Sequence, residues 1–305
     1  MQSIASQHFP QIIIEGNKKW LFNPVLKKRL ANRPEERVRL RWVEYLLHQS
    51  DWKKSRIGFE TPVKLRQESN SLRADLILYS NDLTPQVLVE CKSEKISLTP
   101  KVAQQAARYN VSVEAKNIAL TNGVKDFWFS RNNQQILEQQ GIFSEVTELK
   151  KIRSEPGYWS KRGFCSTHSP GAVKSRLQRI LPDFFEEKNG WNTRYLAFED
   201  SLLDLPMDQY YQIAVLNDQT RLAMSFIGSD QKPSYLIAVL NSKGQNKGVI
   251  VINLDSLLND EPNTVTVYKD GVQTSVDPDS NKTEFIEAVE ENIQNLPNRL
   301  LKFFD

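Results

Sequence analysis

Two apolar runs, Leu76-Ile77-Leu78-Tyr79 and Val87-Leu88-Val89, constrain this chain more than any other feature. Each is of strand length, and their closeness makes them the neighbouring strands of a hairpin. The charges at their ends then matter. Arg73-Ala74-Asp75 heads the first run and Glu90-Cys91-Lys92 closes the second, so the hairpin is expected to carry Asp75, Glu90 and Lys92 to one edge of a sheet. Side chains alternate along a strand, which puts Glu90 and Lys92 on one face and Cys91 on the other.

These residue types suit metal-dependent phosphodiester chemistry. Hard divalent cations such as Mg2+ or Mn2+ take oxygen ligands and keep several waters, so one or two carboxylates suffice and leave positions open for phosphate and water. Asp75 and Glu90 are the candidate metal ligands, with the main-chain carbonyl of Cys91 as a third. Lys92 is a compact charge that can orient or help deprotonate an attacking water and offset charge on the phosphate. An Asp followed after fourteen residues by Glu-x-Lys is not specific by itself, and a solvated hairpin edge is the other reading of it.

The flanking segments add to the pattern. Thr99 and Pro100 open a helix over 101–111 in which Gln105 and Tyr109 share a face. Asn117-Ile118-Ala119-Leu120 reads as a buried strand ended by the turn Thr121-Asn122-Gly123. Upstream, Pro34-Glu35-Glu36 opens a helix with an apolar stripe of Leu40, Val43, Leu46 and Leu47, and Glu36 falls on the same side. A carboxylate facing a core is costly unless something positive meets it.

Pro34 to Arg39, Arg73-Ala74-Asp75, Val89 to Lys92, Gln105 to Asn110 and Thr121-Asn122-Gly123 resemble, in that order, the motifs of the N-terminal nuclease domain of type I restriction enzyme restriction subunits. That domain belongs to the PD-(D/E)XK superfamily, and the likeness runs over about residues 20–131. The resemblance implies a helix, a three-stranded meander, a second helix and a further strand. It further implies Mg2+ held by Asp75 and Glu90, Lys92 as the catalytic lysine, Glu36 as a helix-borne acid, and Gln105 and Tyr109 as supports of the site or contacts to DNA. Arg73 is a candidate DNA contact. Ala74 stands where the superfamily name has Pro, and Leu40 where Gln is expected. The sequence has no Gly-x-x-x-x-Gly-Lys-Ser/Thr loop, so the ATP-driven motor of such subunits is expected to be missing.

Charge is unevenly distributed. Residues 1–194 carry 32 Lys and Arg against 20 Asp and Glu, a net +12, whereas residues 195–305 carry 8 against 17, a net −9. A basic first part suits a polyanion, whose bound counterions are released when Lys and Arg neutralise its phosphates. Three His and two Cys, Cys91 and Cys165, are too few for a zinc finger and argue for a reducing, cytoplasmic setting. No apolar run approaches the roughly 18 residues of a membrane span, and no signal-peptide layout opens the chain.

The expected organisation is an α/β (α+β) chain of two domains. Residues 1–150 would form a PD-(D/E)XK core, a mixed central sheet flanked by helices. It would begin with a strand at Gln11 to Ile14 and a basic loop around Lys18-Lys19-Trp20 and Lys27-Lys28-Arg29, and end in a helix over 133–140 and a strand over 143–149. Residues 151–305 would form a second α+β domain, with a linker and helix over 151–194 followed by an acidic antiparallel sheet and a terminal helix. Within the linker, Lys161-Arg162 beside Trp159 could grip a nucleic-acid strand, although such Trp residues more often pack. Ser169-Pro170 caps a helix to about Lys188. Strands follow at Tyr210–Leu216, Thr220–Ile227, Ser234–Leu240, Gly248–Asn253 and Thr264–Tyr268, then a helix from Thr283 to Phe304. Glu199, Asp200, Asp204, Asp208, Asp277 and Asp279 read as surface acids.

The functional expectation is a Mg2+-dependent DNA endonuclease of restriction type, acting in defence against foreign DNA. The rival is a catalytically silent nuclease fold kept for DNA binding or as a scaffold, with the second domain as the place for self-association or a partner protein.

Overall fold

The computed structural model describes residues 1–16, 18–63, 72–131, 137–138, 153, 155, 157–198, 207–230, 232–259, 261–262, 264–276 and 289–304. The chain divides into two compact units, Met1–Ile13 with Lys19–Leu149, and Ile14–Lys18 with Lys150–Asp305.

The first unit begins with three strands, β1 (Gln11–Glu15), β2 (Lys18–Asn23) and β3 (Lys28–Ala31), in a sheet of that order. The basic stretch expected as a loop is thus largely a β2–β3 hairpin, Trp20 opposite Ala31 and Asn23 opposite Lys28. Alternation explains it: Lys19, Leu21 and Asn23 are buried on one face, while Lys18, Lys28 and Arg29 are exposed.

Helix α1 (Pro34–Gln49) starts with proline in its first turn and acids Glu35 and Glu36 at the positive end of its dipole. The expected stripe proves too narrow. Val38, Leu40, Trp42, Val43, Tyr45 and Leu46 are buried, and so are Arg39, Arg41 and Glu44. A helix covered almost all round must pair its charges internally.

The main sheet has six strands in sequence order: β4 (Ile57–Val63), β5 (Leu72–Tyr79), β6 (Pro85–Cys91), β7 (Asn117–Thr121), β8 (Asp126–Arg131) and the two-residue β9 (Leu137–Glu138). All neighbours are antiparallel except β6 and β7, which run parallel. A parallel pair needs a crossover, supplied by α2 (Pro100–Val113). The sheet is therefore mixed. Leu76, Leu78, Val87, Val89 and Cys91 pack with α1, whereas Ile77 and Leu88 pack with Tyr109 of α2. Strand β8 was not expected, and Leu137–Glu138 is strand, not the middle of a helix over 133–140. The rest of that helix and the strand over 143–149 lie outside the described residues.

The segment before β1 is tied down by a buried cation. Arg41 donates to the carbonyls of Ala5, Ser6 and His8 and pairs with Glu94 at 2.9 Å. Farther out, Ser3 N–H donates to the Val124 carbonyl and Ile4 N–H to the Asp126 carboxylate.

The second unit is a meander. Helix α3 (Gly171–Phe184) leads to β10 (Asn192–Leu196), β11 (Gln209–Val215), β12 (Thr220–Ser229), β13 (Lys232–Ser242) and β14 (Gln245–Asn253). After the short α4 (Leu254–Leu258) come β15 (Val265–Lys269), β16 (Val272–Val276) and α5 (Leu296–Leu301). The seven strands form one antiparallel sheet in chain order. Tyr211, Ile227, Ile237 and Val251 form a core on one face. Phe226 faces the other way and meets Phe184 of α3 edge-on at 5.0 Å. Gly228 is dictated by a close approach, since a Cβ there would lie 2.1 Å from the Ser166 nitrogen. Strands β10 and β16 went unrecognised in the sequence. A 3-10 turn at Ile293–Asn295 precedes α5 inside the helix expected over 283–304, whose first residues lie outside the described set, as do Glu199, Asp200, Asp204, Asp277 and Asp279.

Candidate active site

Strand register builds the site. Phe59 pairs with Leu76 and Thr61 with Ala74, so Glu60 lies across from Asp75. Leu76 pairs with Val89, so Asp75 in turn lies across from Glu90. Three carboxylates thus occupy one row across β4, β5 and β6. The Glu60–Asp75 rung is not made, because Glu60 sits at φ 47, a left-handed conformation that costs a non-glycine residue about 1 kcal/mol or more. Beyond Leu76 and Val89 the β5–β6 ladder ends, and the Asp75 carboxylate takes over: its Oδ2 accepts from the Cys91 N–H at 2.7 Å.

Charge partners are close. Lys92 Nζ donates to Glu90 Oε1 at 2.7 Å. From α1, the buried Arg39 reaches Glu36 at 2.8 Å, Glu60 at 3.3 Å and Asp75 at 2.5 Å, its guanidinium 5.1 Å from the centre of the Phe59 ring. Arg39 is the positive group that the core-facing Glu36 required. Neither Arg39 nor Glu60 stood out in the sequence. Arg39 left a signal, three residues after Glu36 on one helix; Glu60 left none without the register of β4.

Burial sets the protonation. Glu90 is pushed up to about 7 by desolvation and then by the Asp75 charge, against the pull of Lys92 and Arg39. Desolvation also raises Asp75 and Glu36, against Arg39. Burial alone would lower Lys92, but its hydrogen bond to Glu90 and the charges of Glu90 and Asp75 outweigh it, and its pKa rises. Lys92 is therefore held as an ammonium donor.

The other candidates separate into two groups. Gln105 donates to the Tyr109 hydroxyl at 3.0 Å, and Tyr109 is only 9% exposed, packed with Ile77 and Leu88. The ring is core and braces α2 against the sheet. Arg162, in the second unit, is 3% exposed, stacks 3.7 Å from the Tyr158 ring centre and donates to the Tyr158 carbonyl. The 3-10 turn at Ser160–Arg162 turns it inward, while Lys161 stays exposed. Arg73 is exposed and 3.7 Å from Glu60. Cys91 is buried in the α1 core, and both cysteines are free thiols.

Glu90 Oε2 and Glu36 Oε2 are buried oxygens without a hydrogen-bond partner. Uncompensated carboxylate oxygens of this kind are costly, and hard dications bind such donors, so the oxygens present fit Mg2+ or Mn2+. Among the described residues, no three His, Cys, Asp or Glu side chains are arranged as a metal cage, and Arg39 already occupies Asp75 Oδ1.

Residues 34–146 match the family model described as type I restriction enzyme R protein N terminus. The match covers just over a third of the 305 residues and contains every member of this cluster. Neither a curated protein nor a solved structure matches the chain. Among the described residues no helix is long and apolar enough to cross a membrane.

Proposed function

We propose that the first unit is a PD-(D/E)XK core and that the chain is a Mg2+-dependent DNA endonuclease of restriction type. The observation that carries this reading is the carboxylate row of Glu60, Asp75 and Glu90 with Lys92 on its last member, inside the segment that matches restriction enzymes. Asp75, Glu90 and the Cys91 carbonyl would hold the ion. A bound dication supplies charge stabilisation at the phosphoryl group and lowers the pKa of water. The chain's own part is positional. Lys92, held protonated, offers N–H donors where charge develops on phosphate oxygens. Glu36 and Arg39 fix Asp75 from the helix side, Gln105 and Tyr109 brace α2, and Arg73 lies exposed at the head of β5 to meet a phosphate backbone.

One observation favours the catalytically silent alternative: Arg39 already neutralises Asp75. Incubating the purified protein with plasmid and single-stranded DNA in Mg2+, Mn2+ or EDTA separates the two. Nicking or linearisation that requires the metal and disappears in Asp75→Asn supports the nuclease. DNA binding without any cleavage in either metal refutes it.

A further inference from the structure

We infer that Arg39 stands in for a second cation, so that this site takes a single divalent ion. The inference rests on reading the cluster as a metal site. Four carboxylates meet here, Glu36, Glu60, Asp75 and Glu90, with two enclosed cations, Arg39 and Lys92; Arg73 reaches Glu60 at 3.7 Å from an exposed position where solvent screens its charge. Counted as ions, the four carboxylates and the two enclosed cations leave two negative charges, which one dication cancels and two would reverse.

The placement of Arg39 is that of a shared counter-ion. Its side chain is buried, and acids from α1, β4 and β5 converge on one guanidinium within 3.3 Å. Bridging carboxylates from separate strands is what a dication does in a two-metal site. A guanidinium does it permanently: it cannot lose its proton, and its fork of N–H donors binds two or more oxygens in a fixed plane. The Phe59 ring beneath that plane restrains it further. Asp75 therefore has Oδ1 on Arg39 and Oδ2 on the Cys91 N–H, whereas Glu90 keeps Oε2 without a partner. Free oxygens remain on Glu90 Oε2 and Glu36 Oε2, but Glu36, Glu60 and Asp75 already share the Arg39 charge, whereas Glu90 does not touch it. Arg39 is a positioning residue, since it acts through Asp75.

The test is calorimetric titration of Mn2+ into the metal-free full chain, with electron paramagnetic resonance on the same samples. Wild type should bind one ion with the spectrum of isolated Mn2+. Arg39→Met, which keeps the length and loses the charge, should bind two and show spin coupling between them; Arg39→Lys should return to one. Two ions in wild type, or one in a folded Arg39→Met, overturn the role of Arg39 and leave the metal-site reading standing. No Mn2+ bound by wild type overturns both. Should Arg39→Met fail to fold, the wild-type stoichiometry decides the matter alone.

Discussion

Glu90 makes the metal-free protein pH-sensitive in a direction opposite to that of a carboxylate whose pKa folding lowers, even though Lys92 pairs with it. Its pKa rises from 4.5 to about 7 on folding, because burial and the Asp75 charge outweigh Lys92. The folded state holds this proton more tightly than the unfolded chain. Stability from this group is thus fully present below pH 4.5 and is lost as pH rises through 7. At 1.36 kcal/mol per pKa unit, the loss is on the order of 3 kcal/mol. Glu90 is 3% exposed, so solvent screening takes little from this figure. Glu90→Gln keeps the shape and an acceptor for Lys92 but cannot ionise. Urea unfolding of both proteins in EDTA, from pH 4.5 to 8.5, should show the variant gaining about 3 kcal/mol on wild type across the range. Asp75 and Glu36 are also raised by burial, so both proteins should keep a smaller slope of the same sign. Parallel curves for wild type and Glu90→Gln would refute the claim that Glu90 is ionised at a cost in the folded state.

Other outcomes follow from the same geometry. Lys92→Ala should keep Mn2+ binding by calorimetry and lose at least ~100-fold in cleavage rate, the scale of one preorganised donor in a charged site. Arg73→Ala should weaken DNA binding with little regard to sequence and reduce the slope of log affinity against log salt by about 1, measured by fluorescence anisotropy. Gly228→Ala forces a methyl to 2.1 Å from the Ser166 nitrogen, and thermal unfolding should register a loss of about 1–3 kcal/mol or more. Arg41→Met removes the donor to three carbonyls and leaves Glu94 without its buried partner; a cost of about 3–5 kcal/mol is expected in chemical denaturation.

Much of this fold was legible because short-range patterns carry it. The apolar runs ending in Asp75 and Glu90 are strands β5 and β6, Pro34 and Pro100 open α1 and α2, and the turns among residues 210–268 separate β11 to β15. What escaped depends on contacts distant in sequence. Glu60 joins the site only because β4 pairs with β5 in one register. Strand β2 reads as a basic loop because Lys18 and Lys19 open it and leave only Trp20-Leu21-Phe22 as its apolar part. Adjacent Lys161 and Arg162 read as one basic patch, yet a 3-10 turn rotates successive side chains apart, and Tyr158 draws only the second inward. For Tyr109 the spacing from Gln105 placed the pair together, but spacing does not say whether their face meets solvent or a sheet.

The Arg41 clamp bears on how the protein is made. Ser3 and Ile4 are made before their acceptors Val124 and Asp126, which come about 120 residues later, roughly 6–24 s behind at ordinary elongation rates. Until then the segment before β1 lacks those two bonds and is held by the Arg41 bonds to Ala5, Ser6 and His8. A nascent chain that has already emitted Glu36, Glu60, Asp75, Glu90 and Lys92 still lacks the bonds at Val124 and Asp126 that pin its start. The segment before β1 is therefore bonded to β8 and the turn before it only after every residue of the candidate site has been made.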